Sequence, residues 1–483
     1  MNAYNPALAK KNTIGHDKKY WICRLAVLLS DVFSLFLSYV LSLKLAGFKG
    51  QLFVMHRDSA IFFALILVCL GLFVTKGHYS KRIPFWDELR QMLKGVFLVG
   101  LLHTAIVVGM NLTTMPRALA FAWLFALVLL PCLRVLTKTL LLKVGLWSYP
   151  SVIIGDGENA EDTAKALADE HMMGYEIKHF LSIDEPKRPF ITVKGRDVPV
   201  SQLDEDFERH FRALDNPHII VALERGGLDR IQHYVDRFSL FYPRLSVVPA
   251  LRGLPLFGAD MHSFFSHEVI LLNLRNNLAP ISNRFIKRTF DLVVSALLLL
   301  MLSPLFLYVA LKIRDSGGTV FFAHTRIGRG GKPFPCYKFR SMVPNAQEIL
   351  DHLLKTDPVA KAEWDKDFKL KSDPRITKIG QFLRKTSLDE LPQLWNVFKG
   401  DMSLVGPRPV IAAEVERYGE KAVYYYQAKP GMTGLWQVSG RNDVDYDSRI
   451  YLDAWYVKNW NLWTDIVIML RTFDVVLNRD GAY

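Results

Sequence analysis

The chain has 483 residues, half of them hydrophobic, with 60 Lys and Arg against 47 Asp and Glu, a net charge of +13. The length suits two to four domains, and so much apolar content beside so much positive charge points to a membrane protein whose basic residues flank its apolar segments, which sets nucleic acid aside as a partner. The four cysteines show no CxxC spacing, and Cys23, Cys69 and Cys132 lie in apolar segments, so neither a disulfide framework nor a zinc site is expected.

Four apolar runs come first, 25–43, 59–74, 95–110 and 118–133. Each is near the roughly 20 residues of a spanning helix, the last three with help from flanking residues. Lys10, Lys11, Lys18, Lys19 and Arg24 precede the first run, and Lys76, Lys81, Arg82, Arg90 and Lys94 separate the second from the third. Only Arg117 lies in the loop before the fourth, and Arg134, Lys138 and Lys143 follow it. By the positive-inside rule the chain starts inside, crosses four times and returns inside. A long basic lead with no small-residue cleavage site argues against a signal peptide. Asp31 and His103, within the runs, are read as polar contacts between helices.

After Tyr149 the composition is that of a soluble α/β domain. SVIIGDGENA (151–160) reads as a buried strand, a glycine turn and a helix start, YEIKHFLSID as a second strand ending at Asp184, and IIVALE and RLSVVPA as further strands. Gly155, Gly157 and Ala160 fit the G-x-G-x-x-G/A dinucleotide fingerprint, but Asp184 lies further along than the usual ribose-binding acid. The reading preferred here is a Rossmann-like domain without a bound cofactor.

The next apolar run, 290–311, is long enough to span, yet Arg284, Lys287 and Arg288 precede it and Lys312 and Arg314 follow. A span would put one basic cluster outside. Pro304 removes a helix hydrogen bond, and Ser303 can satisfy a freed carbonyl, so a re-entrant hairpin that returns to the inner face is expected.

Beyond it, RIGRGGKPFPCYKFRSM alternates Tyr337 and Phe339 with Lys338 and Arg340, which in a strand places the cations on one face. KTSLDELPQLWNVFKGDMSLVGPRPV then sets Asp389 and Glu390 behind Arg384 and ahead of Arg408. Thr386 or Ser387 followed three residues later by an acid is also a capping-box pattern, which would make the acids structural. Cationic clusters around paired carboxylates suit phosphoryl transfer: cations neutralise phosphate oxygens, and a carboxylate binds metal or attacks phosphorus.

KRTFDLVVS, the Ser303-Pro304 bend, YKFRSM, TSLDELPQL, SLVGPRP and KPGMTGLWQVSGR together resemble the bacterial sugar transferase family of polyprenyl-phosphate hexose-1-phosphate transferases, over 284–483; the upstream regions resemble its long members. The resemblance implies that Asp389 attacks the β-phosphorus of a UDP-hexose, releasing UMP, and that undecaprenyl phosphate then displaces the phosphosugar. This is the first membrane step of surface polysaccharide synthesis. It implies Mg²⁺, with Asp389 as metal ligand and Glu390 as its partner acid. Lys338 and Arg408, and less directly Arg340 and Arg384, would bind phosphate. It favours galactose over glucose.

The expected organisation is a transmembrane bundle (1–147), a cytosolic Rossmann-like domain (148–250), a connector (251–283) and a mixed α/β catalytic domain (284–483) with the re-entrant helix and an interfacial C-terminal helix in 460–477. The expected place is a bacterial inner membrane, with both soluble domains cytosolic and a homodimer through the Rossmann-like domain. Two rival functions stand beside this. One is a metal-dependent glycosyltransferase releasing UDP, suggested by Asp443, Asp445 and Asp447; these do not make a calcium loop, because Ser448 and Ala454 replace its glycine and glutamate. The other is an NAD-linked sugar-nucleotide oxidoreductase.

Overall fold

The computed structural model describes residues 6–47, 57–111, 116–203, 211, 214, 217–242, 244–251, 253–254, 259–263, 270–274, 277–278, 280–315, 317–367, 370, 373–439 and 445–478. The chain forms two compact units, Met1–Arg252 and Gly253–Tyr483.

The first unit opens with helices α1 (Pro6–Leu45), α2 (Arg57–Thr75), α3 (Phe85–Gly109) and α4 (Pro116–Lys143). Lys19–Leu45, Phe85–Gly109 and Ala118–Lys143 are long and apolar enough to cross a membrane, and Ser59–Thr75 is a shorter apolar helix. Leu35, Phe62, Cys69, Val96, Ala122 and Ala126 face one another. Leu29, Leu67, Phe97 and Val128 point outward and stay exposed, the all-round apolar surface that lipid requires. A buried charge is tolerated in such a bundle only when paired. Asp31 accepts from Arg134 Nε (3.0 Å) and from the Tyr79 hydroxyl (2.7 Å). Glu88 accepts from Arg134 Nη1 (3.1 Å) and Lys138 Nζ (2.5 Å). Trp123 Nε1 donates to His103 Nδ1 at 2.9 Å. Asp31 and His103 thus tie helices together, as their positions in the sequence suggested.

An α/β sheet follows: β1 (Tyr149–Ile154), α5 (Glu158–Asp169), β2 (Tyr175–Ser182), β3 (Phe190–Val193), β4 (Arg196–Gln202), β5 (His218–Val221), α6 (Gln232–Phe241) and β6 (Leu245–Val247). The strand order is β3-β4-β2-β1-β5-β6, all parallel except the antiparallel edge strand β3. Both faces are covered: Val152 and Ile154 pack into one cluster and Ile153 into another, as a strand of period two dictates. Gly155, with φ +129°, lets the β1–α5 turn pass within contact of the Ala222 carbonyl, where a Cβ would sit 2.3 Å from the oxygen. At the N-terminus of α5, Glu224 Oε1 accepts from the Asn159 amide at 2.6 Å. It also lies 2.9 Å from where a Gly157 Cβ would be. The chain's own carboxylate therefore caps the N-terminus of α5, an end that favours an anion.

The second unit begins with a two-stranded ribbon, β7 (Asp260–Ser263) and β8 (Ile270–Asn273), and the long helix α7 (Ile281–Arg314). The helix contains Pro304 and reaches further at both ends than the expected 290–311. In its first turns two charged residues, Lys287 and Asp291, are buried. Lys287 Nζ bonds Asp465 (2.7 Å), Val405 O (3.0 Å) and Tyr456 OH (3.1 Å), and Asp291 accepts from Ser403 Oγ and the Leu404 amide, each at 3.0 Å. Further on, Leu292, Val293, Leu297, Leu300, Met301, Leu307 and Leu311 are exposed apolar residues. At the far end Val309 and Ile313 are buried with Phe339 and Leu383.

Strands β9 (Phe321–Ile327) and β10 (Pro333–Phe339) form an antiparallel pair, followed by helices α8 (Lys378–Lys385) and α9 (Gln393–Lys399). Asn396 of α9 locks onto β10, accepting from the Tyr337 amide (3.0 Å) and donating to Pro335 O (2.7 Å). The short parallel strands β11 (Ser403–Val405) and β12 (Gly431–Thr433) complete the core with helices α10 (Tyr446–Lys458) and α11 (Leu462–Asn478). Helix α11 buries Ile468 and Asp465 against the unit and leaves Leu470 and Phe473 exposed.

Candidate active site

Between α8 and α9 the chain makes a single 3₁₀ turn, Leu388–Glu390, and not an α-helical start. Ser387 before it takes φ +55° and makes no side-chain cap. The capping-box reading of the acids is thereby corrected: α9 starts only after Pro392, so Asp389 and Glu390 lie ahead of it. A left-handed non-glycine residue costs about 1–3 kcal/mol and persists only where surrounding packing imposes it. Here Leu388 and Leu391 on either side are drawn into the cluster of Phe339 and Leu383, which leaves the two carboxylates facing outward.

They face Lys338 of β10. Its Nζ lies 2.7 Å from Glu390 Oε1 and 3.9 Å from Asp389 Oδ2. Burial lowers the Lys338 pKa, but the charges of Glu390 and Asp389 outweigh it and hold the ammonium above its ordinary value. Burial, with the Glu390 charge adding to it, outweighs Lys338 and Arg384 and holds Asp389 above the usual aspartate range. The pair is thus inequivalent: Glu390 carries the direct bond to lysine, whereas the Asp389 side chain is only 13% exposed and its pKa is held up by burial.

These groups line a cleft of about 1000 Å³ into which Lys338, Arg340, Arg384, Asp389, Glu390 and Arg408 all contribute. Arg384 donates from Nε to Ser341 Oγ at 2.9 Å. Arg408 is exposed in the turn after β11, its guanidinium 5.5 Å from the Trp436 ring centre. Behind that turn the Asp453 carboxyl accepts from Tyr418 OH (2.9 Å) and is pushed up to about 7 by burial, despite the Tyr418 bond and the Arg408 backbone and charge. Arg340 differs. Strand β10 ends at Phe339, so the strand alternation that put Arg340 beside Lys338 stops one residue short. Its buried guanidinium donates to Thr319 O (2.6 Å), Met342 O (3.0 Å), Ile313 O (3.3 Å) and Gly317 O, which clasps the end of α7 to β10. Ser303 and Pro304 lie within α7 and do not line the cleft; Ser303 Oγ donates to Leu300 O at 2.8 Å.

Other lining residues were not singled out from the sequence: Phe322, His324, Gln393 and Trp436. Gln393 and Trp436 stand in the quoted TSLDELPQL and KPGMTGLWQVSGR segments; Phe322 and His324 carry no local signal. Among the described residues no group of three or more His, Cys, Asp and Glu could hold a metal. The cleft instead offers the adjacent Asp389 and Glu390, a donor set suited to a cation that takes one or two carboxylates and completes its shell with water and substrate phosphate.

The rival motifs go elsewhere. Asp445 accepts from the Ser448 amide (2.6 Å) and caps α10; it and Asp447 are not in the cleft, and Asp443 is outside the described residues.

Residues 282–479 match the family described as bacterial sugar transferase. The chain is 46% identical over 482 residues to undecaprenyl-phosphate galactose phosphotransferase of Salmonella typhimurium, covering 97% of this chain and 99% of the relative. It is 44% identical over 471 residues to the UDP-galactose-lipid carrier transferase of Erwinia amylovora, covering 96% and 98%. Over 207 residues it is 42% identical to the UDP-glucose:undecaprenyl-phosphate glucose-1-phosphate transferase of Caulobacter vibrioides, covering 41% and 72%. Likeness that runs almost end to end in two relatives places the chain in the bacterial sugar transferase family.

Proposed function

We propose that this enzyme transfers a hexose-1-phosphate, galactose-1-phosphate first among the candidates, from a UDP-hexose to undecaprenyl phosphate and releases UMP, the opening membrane step of surface polysaccharide synthesis. The observation that carries the reading is Lys338 set against both Asp389 and Glu390 in a cleft that Arg384 and Arg408 also enter. A cleft rich in cations suits the oxygens of a diphosphate, and its most shielded carboxylate is the nucleophile.

In the first step an Asp389 oxygen forms a bond to the β-phosphorus and the bond from that phosphorus to the bridging oxygen breaks. UMP leaves with the electron pair, and an acyl phosphosugar remains on Asp389. In the second step an oxygen of undecaprenyl phosphate attacks the same phosphorus and the carboxylate leaves, which yields the lipid diphosphate sugar. Lys338 neutralises charge beside the nucleophile, Arg408 and Arg384 hold phosphate oxygens, and Arg340 acts as a clasp behind them. Mg²⁺, held by Asp389 with Glu390 beside it, supplies charge neutralisation at the phosphates when bound.

Topology follows from the same unit. Near its start α7 donates through Arg288 to Val397 O and Phe398 O (2.6 and 2.7 Å), and near its end Ile313 O accepts from Arg340. One folded domain holding both ends supports a re-entrant course, because a spanning helix would put them on opposite sides of about 30 Å of hydrocarbon. On that reading the cleft is cytosolic, at the inner membrane surface. The parallel sheet of the first unit is read as a Rossmann-like domain that serves assembly, a homodimer included, with Glu224 capping α5.

The test is to incubate the purified full chain with Mg²⁺, undecaprenyl phosphate and UDP-galactose or UDP-glucose and identify the nucleotide. UMP supports phosphosugar transfer, and the faster donor names the sugar; UDP would overturn the reading.

A further inference from the structure

Outside the cleft, Lys429 of the second unit is half-buried beside a second cation. Arg288, in the second turn of α7, reaches the last carbonyls of α9, where the helix dipole favours a cation. The chain then turns through Gly400, which has φ +102°. A Cβ at Gly400 would lie 3.2 Å from Arg288 Nη2 and 3.4 Å from Lys429 Nζ, so two cations border the space this glycine leaves open. Lys429 is half-buried, and among the described residues its ammonium makes no hydrogen bond or ion pair. The carboxylates nearby are engaged elsewhere. Asp401 accepts from Asn396 Nδ2 (3.3 Å) and pairs with Lys399 (3.5 Å), and Asp291 serves Ser403 and the Leu404 amide. Burial, then the Arg288 charge, then Arg329 hold the Lys429 pKa below its ordinary value, with Asp291 and Asp401 opposing only in part.

The position of this pair is as informative as its charge. The exposed surface of α7 is apolar on both sides of Arg288, at Phe285 and Ile286 before it and at Leu292 and Val293 after it, so the cations stand beside a face suited to bilayer. On the other side Gly431, two residues after Lys429, lines the cleft that holds Asp389. Pro430 between them accepts from the Ser403 amide at 2.8 Å, which fixes Lys429 to β11.

We propose that Arg288 and Lys429 form a lipid-phosphate site at the membrane surface, which takes an anionic phosphate ester with its hydrocarbon chain along the apolar face of α7. The phosphate can belong to a polyprenyl phosphate on its way to the cleft, an assignment that rests on the function proposed above, or to the headgroup of an anionic phospholipid. Lys429 is the group to vary, because Arg288 also serves the carbonyls of α9.

Native mass spectrometry of the detergent-solubilised full chain separates these cases. Wild type, Lys429→Met and Lys429→Arg are each incubated with undecaprenyl phosphate and, separately, with phosphatidylglycerol. Wild type is expected to carry one tightly held lipid phosphate, Lys429→Met to lose roughly tenfold or more in occupancy, and Lys429→Arg to recover it, which excludes misfolding as the cause. Dependence on Lys429 with undecaprenyl phosphate alone assigns the site to the acceptor; dependence with phosphatidylglycerol as well assigns it to lipid headgroups. Equal occupancy of wild type and Lys429→Met with both lipids overturns the proposal. Release of UDP by wild type in the nucleotide assay would remove the acceptor assignment and leave these counts to decide the site.

Discussion

The two carboxylates and Lys338 make opposite demands on Asp389: a nucleophile must be ionised, yet burial and the neighbouring Glu390 charge favour its protonated form. A raised pKa makes the ionised form a stronger nucleophile and removes it earlier as pH falls. The acid limb of kcat/KM, which reports the free enzyme, is therefore expected above the ordinary aspartate value of 3.8. In Glu390→Gln one of the charges that raises Asp389 is gone, so the limb should move to lower pH even where the rate itself falls. A limb that stays put would show that the acids do not sense each other. That Asp389, Glu390, Lys338 and Arg408 meet in one cleft was legible, because each sits in a short segment of paired acids or clustered cations. Arg340 was not, because its partners are the carbonyls of Ile313, Gly317, Thr319 and Met342, and no pattern around YKFRSM names them.

At the scale of elements, α7 is joined to its unit by charges that cannot be removed singly. The Asp465 side chain is 1% exposed and receives Lys287 (2.7 Å), Tyr456 (2.7 Å) and Trp460 (3.1 Å). Lys287→Met leaves that carboxylate without its counter-ion and should cost roughly 3–5 kcal/mol in chemical unfolding in detergent; adding Asp465→Leu should restore part of the loss. Topology gives a second expectation. A cysteine at the exposed position Glu348, in a background without native cysteines, should resist a membrane-impermeant thiol reagent in intact cells and react once they are opened. Pro304→Ala, which restores a backbone donor and is worth up to about 3 kcal/mol towards a straight helix, should lower activity and increase labelling. Labelling of the parent in intact cells would mean that α7 spans. The apolar part of α7 was plain in the sequence. Its first turns were not, because Lys287 reads as one of the basic residues flanking the run until its buried partner Asp465, more than a hundred residues away, is seen.

At the scale of the whole molecule, the apolar runs and the alternation of strands with glycine turns announced a helical bundle followed by a parallel sheet, and IIVALE and RLSVVPA became β5 and β6. The fate of the glycine fingerprint was hidden, because Glu224 comes to the α5 N-terminus from 65 residues beyond Asn159. Glu224→Ala should cost about 1 kcal/mol through the lost cap. Saturating NAD should leave the melting temperature of the wild-type chain unchanged; a clear upward shift would mean that the sheet domain binds a dinucleotide after all.

A covalent bond to Asp389 is the central step of the proposed reaction, and a rapid-quench measurement with UDP-galactose and Mg²⁺ but no lipid phosphate tests it most directly. The wild-type chain should release a burst of UMP approaching one equivalent per active site and retain the sugar phosphate, whereas Asp389→Asn, folded by melting temperature, should be slower by roughly 10³-fold or more. No UMP until undecaprenyl phosphate is added, or an undiminished burst from Asp389→Asn, would contradict the covalent mechanism.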